Sequence, residues 1–118
     1  MEKAKMKTVT LEVASRAGVT RRALEAFRGK KQAARISFAT PELLWKVLTA
    51  KRWELLKTMA GQGPLPIREV ARRVARDVKA VHSDVHALID AGLLDKTLNN
   101  QVVFPFDTIR VEFTLHAA

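Results

Sequence analysis

The sequence contains no cysteine. That excludes a disulfide framework, a thiolate metal site and a cysteine nucleophile together. Histidine is scarce, limited to His82, His86 and His116. No apolar run approaches ~18 residues, so no membrane span and no membrane partner are expected. The basic, polar N-terminus lacks the apolar stretch of a signal peptide, and a cytoplasmic protein is expected. A phosphate-cradling glycine loop, a nucleophile–base pair and a carboxylate pair are also missing, so the chain reads as a non-enzyme with no cofactor. Acidic residues are outnumbered: 12 Asp+Glu face 21 Lys+Arg, for a formal charge of +9.

What is present suits one domain. At 118 residues and 47% hydrophobic, the chain can bury a sizeable core. Its positive excess favours polyanionic partners, chiefly nucleic acid. That excess is uneven, with +7 over residues 1–35, +2 over 36–63, +1 over 64–92 and −1 over 93–118.

Along the chain, Val9, Leu11 and Val13 alternate with polar residues, which predicts a one-sided strand. A short helix ending near Gly29 is expected next, then a short strand at Ile36 and Phe38. Arg21 and Arg22 would open that helix, where positive charge is unfavourable unless an anion sits there. They are candidate arm contacts. Thr40-Pro41 predicts a helix start, with Leu43, Leu44, Val47 and Leu48 as its apolar stripe. Thr49 predicts a second cap, opening a helix to about Ala60. Trp45 and Trp53 fall in apolar helical stripes and are expected in the core.

The segment GQGPLP reads as a loop. A helix from about Ile67 to Ala75 follows, then a break at Arg76, with Asp77 capping a helix that runs to Ala91. Gly92 is the expected terminating glycine. The period then changes from 3.6 to 2. Leu94–Leu98 and Val102–Phe106 flank Asn99-Asn100, predicting a hairpin closed at those two residues. Ile109, Val111, Phe113 and Leu115 predict a last one-sided strand, paired with the first or across subunits. The expected division is a basic N-terminal arm over 1–39, a winged helix-turn-helix over 40–106 and a C-terminal strand over 107–118. The fold class expected is α+β, mainly α: a winged helix-turn-helix with extra N- and C-terminal strands.

That element order predicts double-stranded DNA binding through the helix from Val78. At 100° per residue, Val78, Val81, Val85, Leu88 and Ile89 share one face. Lys79, His82, Ser83 and His86 share another, roughly 120° away, near the end that enters a major groove, and are the candidate base readers. Arg68, Arg72, Arg73 and Arg76 are the candidate phosphate contacts. Lys96, Asn99, Asn100 and Gln101 are candidates on the wing. His82 and His86 stand at i and i+4, but with no nearby cysteine and with Asp84 turned away, no metal site is expected.

The stretch REVARRVARDVKAVHSDVHALIDAGLL, Arg68 to Leu94, resembles the winged helix of MarR-like transcriptional regulators. Together with FATPELLWKVLTAKRWELL (Phe38–Leu56) and VVFPFD (Val102–Asp107), it is similar to a group of small bacterial and archaeal DNA-binding proteins of the antitoxin type. The resemblance implies an autorepressor and the antitoxin of a toxin–antitoxin pair, with a cognate toxin as partner. A homodimer is expected because two half-sites multiply specificity, and it would use the layer of strands 8–13 and 108–115 together with the helix 41–48. It also implies that Arg76, Lys79, His82, Ser83 and His86 face DNA, that Asp77 is a cap and that Asp84 is structural. Ser83 stands where that group often carries a basic residue, which leaves the base preference open. A different reading of the same residues is a protein-interaction module that neutralises a toxin, with DNA binding secondary.

Overall fold

The computed structural model describes residues 7–13 and 34–114. Their element order is β1 (Thr8–Val13), β2 (Ala34–Phe38), α1 (Pro41–Val47), α2 (Ala50–Met59), α3 (Ile67–Val74), α4 (Val78–Ala91), β3 (Asp95–Lys96), β4 (Val102–Val103) and β5 (Thr108–Glu112). The result is α+β, with more helix than strand among the described residues. The helix expected before Gly29, with Arg21 and Arg22, lies outside the described residues, as does Leu115.

The helix ends follow from single side chains. Thr40 Oγ1 accepts from Leu43 N at 3.2 Å, and Pro41 fills the first turn, where its missing N–H costs nothing. Thr49 Oγ1 accepts from Arg52 N, also at 3.2 Å. Asp77 caps α4 through Lys79 N at 3.1 Å and Ala80 N at 3.4 Å. The break between α3 and α4 comes from Ala75, which takes a left-handed conformation with φ 55°. Gly92 ends α4 at φ 90°, where a side chain would be strained.

One sheet has the order β2-β1-β5 and is parallel throughout. The first and last described strands therefore share one layer. Leu11 lies in register with Ile36 and Val111, and Val9 with Ala34 and Ile109. Two bonds start the β1–β5 pairing: Lys7 N donates to Asp107 Oδ2 at 2.9 Å, and Asp107 N to Lys7 O at 2.7 Å. Val9 and Leu11 are fully buried and belong to the same core as Leu44, Leu55, Leu56, Met59, Val81, Val85 and Leu88. Ile36 extends over the end of α4, where its Cδ1 lies 3.6 Å from a Cβ placed on Gly92.

Four expectations are corrected. β1 is not one-sided, because Thr10 is also buried: β1 is the central strand, and Thr10 lies between Arg35 and Arg110 in register. Trp45 and Trp53 are not core residues, being 50% and 39% exposed at the margin of the stripes that bury Leu44, Leu55 and Leu56. The hairpin turn is longer than two residues. Asn100 N donates to Thr97 O at 3.2 Å, and Thr97 N to Gln101 O at 2.8 Å, so Leu98, Asn99 and Asn100 form the loop. Asn100 takes φ 59°, which asparagine tolerates, and this closes a three-residue turn. Finally, GQGPLP is not wholly loop. Leu65 exchanges both backbone bonds with Val102 at 2.8 Å and adds a bridge to the β3–β4 hairpin.

Candidate nucleic-acid interface

The amphipathic reading of α4 places its inner face well. Val81, Val85 and Leu88 are buried and Ile89 is partly so, while Val78 at the N-terminal end is 46% exposed. Lys79, His82, Ser83 and His86 are all exposed. Two of them touch: the Nε2 atoms of His82 and His86 lie 3.1 Å apart, with ring centroids at 4.2 Å. That contact is a hydrogen bond only when one ring donates and the other is an unprotonated acceptor. Among the described residues, no three His, Cys, Asp or Glu side chains gather as a metal site.

Beside this face lies a groove of about 300 Å³ between α4, the start of α3 and the hairpin. Its polar lining is Arg68, His82, His86, Lys96 and Asn100, with no acidic side chain. Five sequence-predicted residues, separated by up to 32 positions, thus surround one concavity. Lys79 and Ser83 stand outside this lining, farther round α4. Asn99 in the hairpin loop and Gln101 just after it do not line the groove, and Gln101 N is occupied by Thr97 Oγ1 at 3.1 Å. A second, wider concavity of about 720 Å³ opens on the other side of Val78, with Arg68, Arg72 and Arg76 in its wall.

The arginines differ in how freely they are offered. Arg68 is exposed. Arg72 binds Glu69 through Nε at 2.8 Å and Nη2 at 2.6 Å. Arg73 binds the same carboxylate at 2.7 Å and Gln62 Oε1 at 3.0 Å. These hydrogen bonds, Arg72 first and then Arg73, lower the Glu69 pKa from 4.5 to about 2. Glu69 therefore stays ionised and competes with any phosphate for both arginines. The sequence reading missed this partner, although i,i+3 and i,i+4 spacing from Glu69 signals it.

Arg76 departs furthest from expectation. It is turned inward, its side chain 22% exposed and its Nη2 donating to Asp84 Oδ2 at 2.7 Å. Arg52 Nε donates to Asp84 Oδ1 at 3.1 Å, while Arg52 Nη1 reaches the carbonyls of Lys46 and Val47 at 3.2 and 3.1 Å. The Asp84 carboxylate thus ties α4 to α2 and to the α3–α4 turn, and Arg52 carries the link on to the end of α1. Burial opposes Asp84 ionisation, but the bonds from Arg76 and Arg52 outweigh it and hold the carboxyl below its ordinary range. Arg76 is a positioning residue here, since its charge is matched before any phosphate arrives. Its Nη1 is buried without a partner among the described residues.

The fold and this face define an α+β protein that presents, beside its longest described helix, a groove of mixed lining whose polar side chains include no acid. Residues 47–111, more than half the chain, match the HVO_A0114 family, and the chain belongs to that family. The match runs from the end of α1 to β5 and so contains the whole groove. No curated protein matches the chain, and no solved structure does.

Proposed function

We propose that the chain is a winged helix-turn-helix, MarR-like transcriptional regulator that binds double-stranded DNA sequence-specifically, with α4 as its recognition helix. The observation that carries this reading is the acid-free groove, which sets Arg68, His82, His86, Lys96 and Asn100 beside the exposed face of α4. Base edges in a major groove offer acceptors to Lys79, and donors or acceptors to His82, Ser83 and His86. Phosphates fall to Arg68, and to Arg72 and Arg73 after exchange from Glu69. Arg76 and Asp84 hold the helix at its angle. Because residues 64–92 carry only +1, affinity rests on a few placed side chains rather than on a broad field.

The test is duplex binding across a salt series. Each phosphate contact contributes about 0.9 to the slope of log affinity against log salt. Arg68→Ala with Arg72→Ala is expected to reduce that slope by roughly 2. An unchanged slope refutes the interface. Lys79→Ala with His82→Ala is expected to relax sequence preference more than it weakens nonspecific binding.

The +7 of residues 1–35 supports the second reading, a protein-interaction module whose basic end neutralises an acidic toxin surface, with DNA binding secondary. Truncation cannot test it, because β1 supplies the buried Val9 and Leu11. Arg21→Gln with Arg22→Gln leaves β1 intact. Loss of toxin capture with duplex binding unchanged supports the antitoxin role.

A further inference from the structure

Four of the seven large hydrophobic side chains left exposed among the described residues gather in one place: Trp45, Trp53, Val111 and Phe113. Trp45 and Phe113 meet edge to face, with centroids 5.5 Å apart and rings at 83°. Trp45, Trp53 and Val111 line a groove of about 480 Å³ beside β5. β5 is also an edge strand, paired with β1 on one side and with no other strand among the described residues. An edge strand next to uncovered apolar surface is a template for strand addition.

The strand carries its own register. Two copies of one strand pair antiparallel about a two-fold axis, and side-chain alternation allows only registers that keep apolar faces together. Centring on Arg110 sets Arg110 against Arg110, and centring on Glu112 sets two carboxylates together. Both place like charges opposite, which destabilises a strand pair. Centring on Val111 sets Arg110 of one copy against Glu112 of the other, twice, and Ile109 against Phe113. Arg110 and Glu112 already pair within the chain, so both ends of each new ion pair lie on the same polar face. The apolar side chains of the second strand then fall on the Trp45–Trp53 side. The opposite edge, β2, offers no such surface, because Ile36 and Phe38 pack on the core.

We infer that a second copy of this chain occupies the β5 edge, pairing antiparallel about Val111 to make a continuous six-stranded sheet and to cover Trp45 and Trp53. The pairing rests on no DNA contact and is measured without DNA, so its failure is separable from failure of the regulator reading.

Sedimentation velocity of the full chain is expected to give a dimer. Glu112→Arg opposes two pairs of like charges and is expected to weaken dimerisation at least tenfold. Arg110→Glu combined with Glu112→Arg restores opposite charges and is expected to restore the dimer. Because the chain has no cysteine, Val111→Cys is expected to form an intermolecular disulfide on mild oxidation, while Val78→Cys on α4 does not. A monomeric wild type, a dimer indifferent to Glu112→Arg, or equal cross-linking of the two cysteine variants overturns the inference. A wild-type monomer whose Trp45 and Trp53 fluorescence shows them shielded from a soluble quencher assigns the groove to the chain's own residues instead.

Discussion

The helical end and the sheet end of the molecule handle their surfaces in opposite ways. Around α3 and α4, charges are satisfied internally: Glu69 holds Arg72 and Arg73, and Asp84 holds Arg52 and Arg76. What remains exposed there is a short set of donors with no competing acid in the groove. Around β5, the polar face is paired but the apolar face is left half covered. The first surface suits a polar ligand that replaces existing bonds. The second gains most from excluding water. At roughly 25 cal/mol per Å² of apolar area removed from water, burying even part of two tryptophans offsets much of an association cost.

The contrast can be broken most severely through the core that both ends share. Leu88→Ala in α4 and Leu11→Ala in β1 are each expected to cost about 2–5 kcal/mol, measured by urea unfolding. If Leu11→Ala left the helical transition unchanged, the sheet would be a separate unit and the comparison would fail. Next comes the Asp84 tie, where Asp84→Asn is expected to cost about 2–3 kcal/mol at neutral pH by removing charged acceptors from two arginines. Its pH dependence sharpens the point. The folded pKa of Asp84 is lower than its ordinary 3.8. Its contribution is therefore complete above the unfolded value and is lost as pH falls through the folded one. Asp84→Asn is expected to flatten stability against pH in that acid range alone, in acid titrations followed by circular dichroism.

Smaller effects follow. Thr49→Ala is expected to cost about 1 kcal/mol by removing the cap of α2. Leu98→Ser is expected to change stability by less than about 0.5 kcal/mol, since Leu98 stands wholly exposed at the hairpin tip. A larger loss in thermal melts would mean that the tip is covered by something.

Local chemistry was the most legible part of the fold. Thr40, Thr49, Asp77 and Gly92 mark helix ends through bonds made within three residues, so no distant partner was needed to foresee them. The parallel sheet was only half legible. Alternation revealed the strands, and β1–β5 pairing was one of the two arrangements expected; its parallel direction was not foreseen, because the pairing joins residues 100 positions apart and nothing local fixes it. Trp45 and Trp53 were misplaced because a helical stripe shows which residues share a side and not where burial stops. Leu65 was hidden between two prolines, although one bridge needs only one residue with both backbone groups free.

Of the candidate site, the exposed face of α4 was legible from period alone. The tethering of Arg72, Arg73 and Arg76 was not, since counting positive residues says nothing about which carboxylate each one has already found. Glu69 was signalled by spacing. Asp84 could not be paired with Arg52 in advance, because that contact spans 32 positions and two helices.

The Asp84 tie has a consequence for engineering. It fixes the angle of α4 from the flank, using none of Lys79, His82, Ser83 or His86. On the proposed reading, orientation and base reading thus belong to separate residues. The four outward positions can then be varied as a library without disturbing the scaffold beneath them. Any such library should hold Arg52, Arg76 and Asp84 constant, because a change there would move all four positions at once.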